Sequence, residues 1–180
     1  IPSLAVIIIG NDSASKLYVN SKVKAFKKLN CLSKTFELPE NIKKSDLIEL
    51  IISLNENKDF HGILLQLPLP KHLSEREILE KIDPKKDVDG FHPENQGYLM
   101  QGNPRFVPCT PLGCLKILEH YEIDSIGKHV VVIGRSNIVG KPISSLFLQN
   151  SKYGNATVTL CHSKTKNLSS FTKQADIIVA

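Results

Sequence analysis

The chain contains the stretch Gly134-Arg135-Ser136-Asn137-Ile138-Val139-Gly140-Lys141-Pro142, and this stretch decides the fold. It follows the apolar run His129–Ile133, which predicts a buried strand, and it leads into a segment with helical spacing. A glycine turn between a buried strand and a helix presents backbone N–H groups to a phosphate. The stretch therefore indicates chemistry that involves a nucleotide.

The glycine spacing differs from the usual G-x-G-x-x-G, because Ser136 stands where the second glycine would lie and Gly140 comes one place late. Taken alone, it also fits an ordinary strand–turn–helix with solvated polar residues. The next predicted strand, residues 156–161, is followed by His162-Ser163-Lys164-Thr165 and not by the Asp or Glu that binds the ribose hydroxyls of NAD. The hydroxyl and basic side chains of residues 162–165, together with Arg135 in the turn, suit a 2′-phosphate. The sequence favours NADP over NAD.

Composition and charge indicate a globular protein and disfavour nucleic acid as its partner. The chain has 180 residues, 41% of them hydrophobic and 23% charged, which is typical of one large or two small globular domains. The formal charge of +5 comes from dispersed lysines, without a run of five or six basic residues. This distribution favours an anionic small molecule over nucleic acid as the partner.

The four cysteines form no C-x-x-C pair and no disulfide framework: Cys31, Cys109, Cys114 and Cys161. This usage indicates a reducing compartment and makes a zinc site improbable. No apolar run approaches the roughly 18 residues of a membrane span, and no signal peptide is recognisable. We expect a cytoplasmic protein without membrane association. Because the chain begins without methionine at one strand and ends on another, we also expect a fragment.

Strand-like runs alternate with helical segments along the chain, which predicts an α/β fold with parallel sheets. The predicted strands cover residues 4–9, 34–38, 61–67, 129–133, 156–161 and 177–180. A segment rich in Pro, Gly and Asn precedes a helix that opens at Thr110-Pro111. We therefore predict a catalytic α/β domain at residues 1–112 and a Rossmann-like dinucleotide-binding domain at residues 113–180, too short to complete its sheet.

Three places in the first predicted domain carry side chains suited to chemistry. Tyr18 and Lys22 lie four residues apart on a predicted helix, so they share one face, although a solvated helix face has the same pattern. Gln66 ends an apolar strand, where an open α/β sheet places ligand contacts or where neighbouring backbone satisfies an amide. Asp87 and Asp89 lie in a glycine turn without a third ligand, so a turn or a ligand contact is favoured over a metal.

Six ordered motifs closely resemble the methylenetetrahydrofolate dehydrogenase/cyclohydrolase family: SKLYVNSK at 15–22, GILLQLPLP at 62–70, KDVDG at 86–90, PCTP at 108–111, GRS at 134–136, and ATVT with CHS at 156–159 and 161–163. The resemblance implies NADP-dependent oxidation of 5,10-methylenetetrahydrofolate to the methenyl form. It also implies hydrolysis of that cation to 10-formyltetrahydrofolate. These are reactions of one-carbon metabolism that serve purine biosynthesis.

The resemblance also implies roles for matching residues. Lys22 is the central catalytic residue, Gln66 holds its amine, Tyr18 packs against the folate ring, and Asp89 hydrogen-bonds the pterin. The folate-contacting residues that flank Gln66 are Leu65 and Leu67. The residues expected to contact the cofactor are Gly134, Arg135, Ser136 and Ser163. No metal is implied, and a homodimer is expected from the family.

The chain departs from the family pattern at both ends. The family begins with an additional helix and continues past the last strand with a loop near the folate, further nucleotide contacts and a C-terminal helix. Three other functions stay open: a non-catalytic folate-binding fragment, a short-chain-type NADP oxidoreductase and a nucleic-acid-binding protein. The second is disfavoured because Tyr18-x-x-x-Lys22 precedes the glycine turn, and the third because the charge is dispersed.

Overall fold

In the computed structural model, which describes residues 1–180, the chain forms two units, Ile1–Val88 and Asp89–Ala180. The elements of the first unit are β1 (Ser3–Ile9), α1 (Ser13–Lys28), β2 (Leu32–Leu38), α2 (Lys44–Glu56), β3 (Gly62–Leu65) and α3 (Glu75–Leu79). The three strands form a parallel sheet in the order β2-β1-β3. The domain boundary that we predict from the sequence, between residues 112 and 113, stays a prediction.

The elements of the second unit are α4 (Pro93–Met100), α5 (Cys109–His120), β4 (His129–Ile133), α6 (Gly140–Leu148), β5 (Thr157–Cys161), α7 (Leu168–Thr172) and β6 (Ile177–Val179). Its strands also form a parallel sheet, in the order β5-β4-β6. The α/β class with two parallel sheets is therefore confirmed. No helix in the chain combines the length and apolar character that a membrane crossing requires.

β1 is buried along its whole length because helices cover both faces of its sheet. Its side chains alternate between two clusters. The even-numbered side chains pack in a cluster with Val19 of α1, and the odd-numbered ones in a cluster with Leu47 and Ile51 of α2. This alternation also fixes which face each residue of β3 presents.

The second unit has a smaller core, built where β4 meets α6. Val130 and Val132 of β4 pack with Ile143 and Phe147 of α6, and all four side chains are buried. The other side chains of β4 point to the opposite face of the sheet, because successive side chains of a strand alternate. The core therefore fixes the start of α6 against the end of β4, where the glycine turn lies.

Several elements differ from the sequence prediction. β2 begins at Leu32, two residues before the predicted start, because the register with β1 pairs Leu32 with Ser3. β3 ends at Leu65, although the backbone N–H of Gln66 still donates to the Ile7 carbonyl at 2.9 Å. α7 has only five residues, too few for a helical period to be visible in the sequence.

The N-terminus of α1 depends on the carboxylate of Asp12, which accepts a hydrogen bond from the backbone N–H of Ser15 at 2.7 Å. This bond, with a second one from the Ser15 hydroxyl, lowers the pKa of the Asp12 carboxyl below its usual value. A lowered folded-state pKa stabilises the fold above the unfolded-state pKa, and the contribution is lost as pH falls through the folded-state pKa.

We therefore predict that replacing Asp12 with asparagine makes thermal stability less dependent on pH between about pH 5 and about pH 2. Asparagine caps a helix about as well as aspartate but does not titrate. The measurement is the thermal midpoint by circular dichroism across that range. The exposed Asp59→Asn serves as the matched control. Parallel curves for wild type and Asp12→Asn would show that the cap does not contribute to acid sensitivity.

Candidate functional site

The first candidate site lies where α1 meets the end of β3. The amine of Lys22 donates a hydrogen bond to Oε1 of Gln66 at 3.2 Å. Nε2 of Gln66 donates to the carbonyl of Leu67 at 2.8 Å. Because Nε2 is held by an acceptor, the amide oxygen must face the lysine. The structure thus brings two predicted site residues, 44 positions apart in sequence, into direct contact.

The alternation along β3 explains why Gln66 meets α1. Leu64 belongs to the cluster that packs against α1, and Gln66 lies two residues further on. Side chains two residues apart on an extended chain point to the same face, so Gln66 points toward α1 as Leu64 does. α1 in turn carries Lys22 beyond its buried residue Val19. The hydrogen bond is therefore a consequence of sheet alternation and helix packing together.

Tyr18 lies one helical turn before Lys22 on α1, and its side chain is 65% exposed. Lys22 itself is half-buried. An exposed aromatic ring beside a half-buried amine offers a stacking surface next to a polar group. The arrangement is suited to a flat ligand that carries a polar or reactive group at its edge.

The two leucines that flank Gln66 face the opposite way. Leu65 is 2% exposed and belongs to the cluster that packs against α2, and Leu67 packs on the same cluster from its edge. The side chain of Leu65 is thus part of the core. A ligand can therefore contact Leu65 only through the backbone of that residue. The folate contacts of both leucines stay predictions.

Asp89 begins the second unit and is half-buried. Gly90, next to it, has φ +67, and a Cβ there would lie 3.1 Å from the Phe106 carbonyl oxygen. Both the backbone conformation and the close approach favour glycine at this position. They fix the path of the chain at Asp89, whose contact with a pterin stays a prediction.

Lys86, to which the sequence assigned no role of its own, anchors the segment before Asp89. Its amine donates to the carbonyls of Leu54 at 2.9 Å and Asn57 at 2.7 Å, at the end of α2. These carbonyls have no partner inside the helix, and a lysine favourably caps them. The carbonyl of Lys86 also accepts from the backbone N–H of Ile63 at 2.7 Å. No periodicity in the sequence signals such a contact.

The second candidate site is the glycine turn between β4 and α6. The backbone N–H of Gly134 donates to the Cys161 carbonyl at 2.8 Å, which places the turn beside the end of β5. Gly134, Arg135, Ser136 and Ser163 therefore lie at one edge of the sheet, and the last three are exposed. In open α/β sheets, ligands bind at the carboxyl ends of the strands.

Ser136 has a local role that the motif spacing did not predict. Its hydroxyl oxygen accepts from the backbone N–H groups of Val139 at 3.1 Å and Gly140 at 3.2 Å. These groups begin α6, so the serine supplies part of the cap that a phosphate would otherwise supply. A contact between Ser136 and a cofactor stays a prediction.

Gly140 explains the unusual spacing of the motif. A Cβ at Gly140 would lie 2.0 Å from the Gly134 carbonyl oxygen, a distance at which the two atoms overlap. Glycine is needed here because the start of α6 lies against the end of β4, as in the close helix–strand packing of dinucleotide-binding turns. Gly134 itself has φ +125.

No group of three or more His, Cys, Asp or Glu side chains is placed to hold a metal ion. The four cysteines form no disulfide bond. The predicted site residues offer an amine, an amide, a carboxylate, hydroxyls and a guanidinium group.

The fold and the two sites define an α/β protein with a lysine–glutamine pair in one unit and a nucleotide-type turn in the other. Comparison with known families is more specific. The profile described as "Tetrahydrofolate dehydrogenase/cyclohydrolase, catalytic domain" matches residues 1–89. The profile of the same family's "NAD(P)-binding domain" matches residues 108–180. The chain belongs to the tetrahydrofolate dehydrogenase/cyclohydrolase family.

Individual relatives agree with this assignment. The "Bifunctional protein FolD" of Campylobacter hominis is 56% identical over 179 residues, which is 99% of this chain and 62% of that protein. The crystal structure of the "Bifunctional Enzyme FolD-Methylenetetrahydrofolate Dehydrogenase/Cyclohydrolase" from Campylobacter jejuni superimposes with a TM-score of 0.92 at 52% identity, covering 99% of this chain and 62% of that one.

A third relative was crystallised with a nucleotide. The Trypanosoma brucei methylenetetrahydrofolate dehydrogenase-cyclohydrolase, complexed with NADP cofactor and an inhibitor, has a TM-score of 0.91 and 37% identity. The match covers 99% of this chain and 60% of that one. The chain thus spans about three-fifths of the length of the relatives that it matches.

Proposed function

We propose that this chain carries the catalytic centre of an NADP-dependent methylenetetrahydrofolate dehydrogenase and methenyltetrahydrofolate cyclohydrolase. The observation that supports this most strongly is the hydrogen bond from the Lys22 amine to Gln66 Oε1 at 3.2 Å, beside the exposed ring of Tyr18. The substrates are tetrahydrofolate derivatives with a one-carbon bridge between two nitrogens.

The nucleotide turn fits NADP by its shape and its charge. Gly134 and Gly140 lack a side chain at the two ends of the turn, with no room for a Cβ at Gly140, and Arg135 and Ser163 offer a cation and a hydroxyl at the same edge. When bound, NADP accepts the hydride of the dehydrogenase step. The residues that we propose to hold it are Gly134, Arg135, Ser136 and Ser163, with Arg135 and Ser163 facing the 2′-phosphate.

Hydrolysis of the methenyl cation needs water to attack the bridging carbon. The water oxygen forms a bond to that carbon and one water proton is released. The bond from the carbon to one ring nitrogen then breaks, the second water proton moves from the hydroxyl oxygen to that nitrogen, and the product is 10-formyltetrahydrofolate. Lys22 is the group that moves the proton, because its amine is half-buried and held by an amide that carries no charge. Gln66 orients the amine, since its own Nε2 is fixed by the Leu67 carbonyl.

The remaining folate contacts follow from the family pattern and the placement of the side chains. Tyr18 stacks on the folate ring through its exposed face. Asp89 hydrogen-bonds the pterin from a backbone path fixed by Gly90. Leu65 and Leu67 line the folate with their backbone, because Leu65 is buried in the core and Leu67 packs at its edge.

A second candidate function is folate binding without turnover, through the same contacts around Lys22 and Gln66. A turnover assay separates the two functions. We further propose, from the family alone, that the protein is a homodimer and acts in the cytoplasm, which sedimentation and cell fractionation test.

Calorimetric titration with NADP and NAD tests the cofactor assignment. We predict tighter binding of NADP and a loss of about tenfold in its affinity in Arg135→Ala, because a hydrogen bond to a charged group contributes about 1.5–3 kcal/mol. NAD affinity changes little. The matched control is Lys128→Ala, an exposed cation at the opposite end of β4. Equal losses for NADP and NAD in Arg135→Ala would overturn the 2′-phosphate contact.

A further inference from the structure

Gln96 lies on α4 of the second unit and makes two contacts that the proposed function does not use. Its Nε2 donates to the backbone carbonyl of Asn137 at 2.8 Å and to that of Phe91 at 3.4 Å. The side chain is half-buried. One amide group thus touches the nucleotide turn and the segment that follows Asp89.

The orientation of this amide is determined by its partners. Both are carbonyl oxygens, which only accept hydrogen bonds, so the NH2 group of Gln96 must face them. An amide nitrogen carries two N–H donors, one for each carbonyl. Removing Gln96 Nε2 therefore leaves two backbone acceptors without this donor.

The contact with Asn137 joins the turn to α4, whereas other hydrogen bonds join residues within the turn and the start of α6. Ser136 Oγ accepts from the backbone at the start of α6, and the Lys141 amine donates to Oδ1 of Asn137 at 2.6 Å. Those contacts lie within the turn and the first residues of α6. They fix the shape of the turn but not its position relative to the Asp89 segment.

We propose that Gln96 is a positioning residue that ties the nucleotide turn to the segment carrying Asp89, and so sets the place of the cofactor relative to a folate contact. This inference rests on the proposed function. The coupling acts over a short path: Phe91 is two residues from Asp89, and Asn137 is two residues from Arg135. Gln96 touches neither substrate in this role.

The chain offers a matched control on the same two helices. Gln149, at the end of α6, donates its Nε2 to the Leu99 carbonyl of α4 at 3.0 Å. Gln149→Met therefore removes the same type of hydrogen bond in the same unit, away from the turn. Methionine matches glutamine in length and helix propensity but donates no hydrogen bond.

The test measures amide hydrogen exchange of residues 134–141 and NADP affinity in wild type, Gln96→Met and Gln149→Met. We expect Gln96→Met to raise exchange in the turn about fivefold and to weaken NADP binding about fivefold, as for one lost hydrogen bond. Gln149→Met leaves both at wild-type values. Gln96→Glu, which keeps the size and lacks the NH2 group, repeats the result if the methionine variant folds poorly.

Unchanged exchange in the turn of the Gln96 variants, or equal acceleration in Gln149→Met, overturns the inference. Failure of the wild-type chain to bind NADP contradicts the proposed cofactor, whereas the exchange rates of the ligand-free chain still decide the role of Gln96. The two failures are therefore distinguishable.

Discussion

Replacement of Lys22 by methionine is expected to slow hydrolysis of 5,10-methenyltetrahydrofolate by at least about 100-fold, the lower range for loss of a proton-transferring group. Methionine keeps the length of the side chain but cannot donate to Gln66 Oε1 or move a proton. The measurement is the decay of methenyl absorbance with supplied substrate, which needs no nucleotide. Hydrolysis at the wild-type rate in Lys22→Met would remove Lys22 from the mechanism.

The control for this result is Lys24→Met on the same helix. Lys24 is exposed, so its replacement changes the net charge by the same amount without touching Gln66. We expect wild-type hydrolysis in Lys24→Met. A shared loss in both variants would point to the charge of α1, and not to the lysine–glutamine pair, as the cause.

Gly140→Ala is expected to destabilise the second unit by about 3 kcal/mol, at the upper end of the usual cost of overpacking. The new Cβ would overlap the Gly134 carbonyl oxygen, at 2.0 Å. Relief requires α6 to move away from β4, which disturbs the core around Phe147 and opens the nucleotide turn. Urea denaturation measures the change in stability, and NADP titration measures the accompanying loss of binding.

Gly113→Ala is the matched control for this change. Gly113 lies within α5, and a Cβ there meets nothing within 4 Å. Alanine favours a helix over glycine by about 0.8–1.0 kcal/mol, so this variant is expected to gain stability. Equal stability of Gly140→Ala and wild type would mean that the close approach at the turn is not needed.

Much of the fold could be predicted from the sequence, because β1, β3 and β4 are short apolar runs and three helices begin with a capping side chain. The hydrophobic run of β1 and the helical spacing of α1 follow from side-chain periodicity alone. Ligands bind at the carboxyl ends of the strands in open α/β sheets, so Gln66 and the turn at Gly134 could be predicted as site positions. The contact between Lys22 and Gln66 was predicted only through the family resemblance, since 44 residues separate them.

Other features of the sites left no periodic signal. The Ser136 hydroxyl accepts hydrogen bonds from backbone N–H groups that the glycine turn was expected to present to a phosphate. Lys86 and Gln96 donate to carbonyls of distant segments. Such contacts depend on how the elements pack, so neither residue type nor spacing identifies them beforehand.

The most direct test of the proposed enzyme follows the absorbance of 5,10-methenyltetrahydrofolate when this chain is mixed with 5,10-methylenetetrahydrofolate and either NADP or NAD. We expect product when both the substrate and NADP are present, at a higher rate than with NAD. Absence of product with either nucleotide, from a folded chain that still binds folate, would contradict the enzyme and support the non-catalytic folate-binding fragment instead.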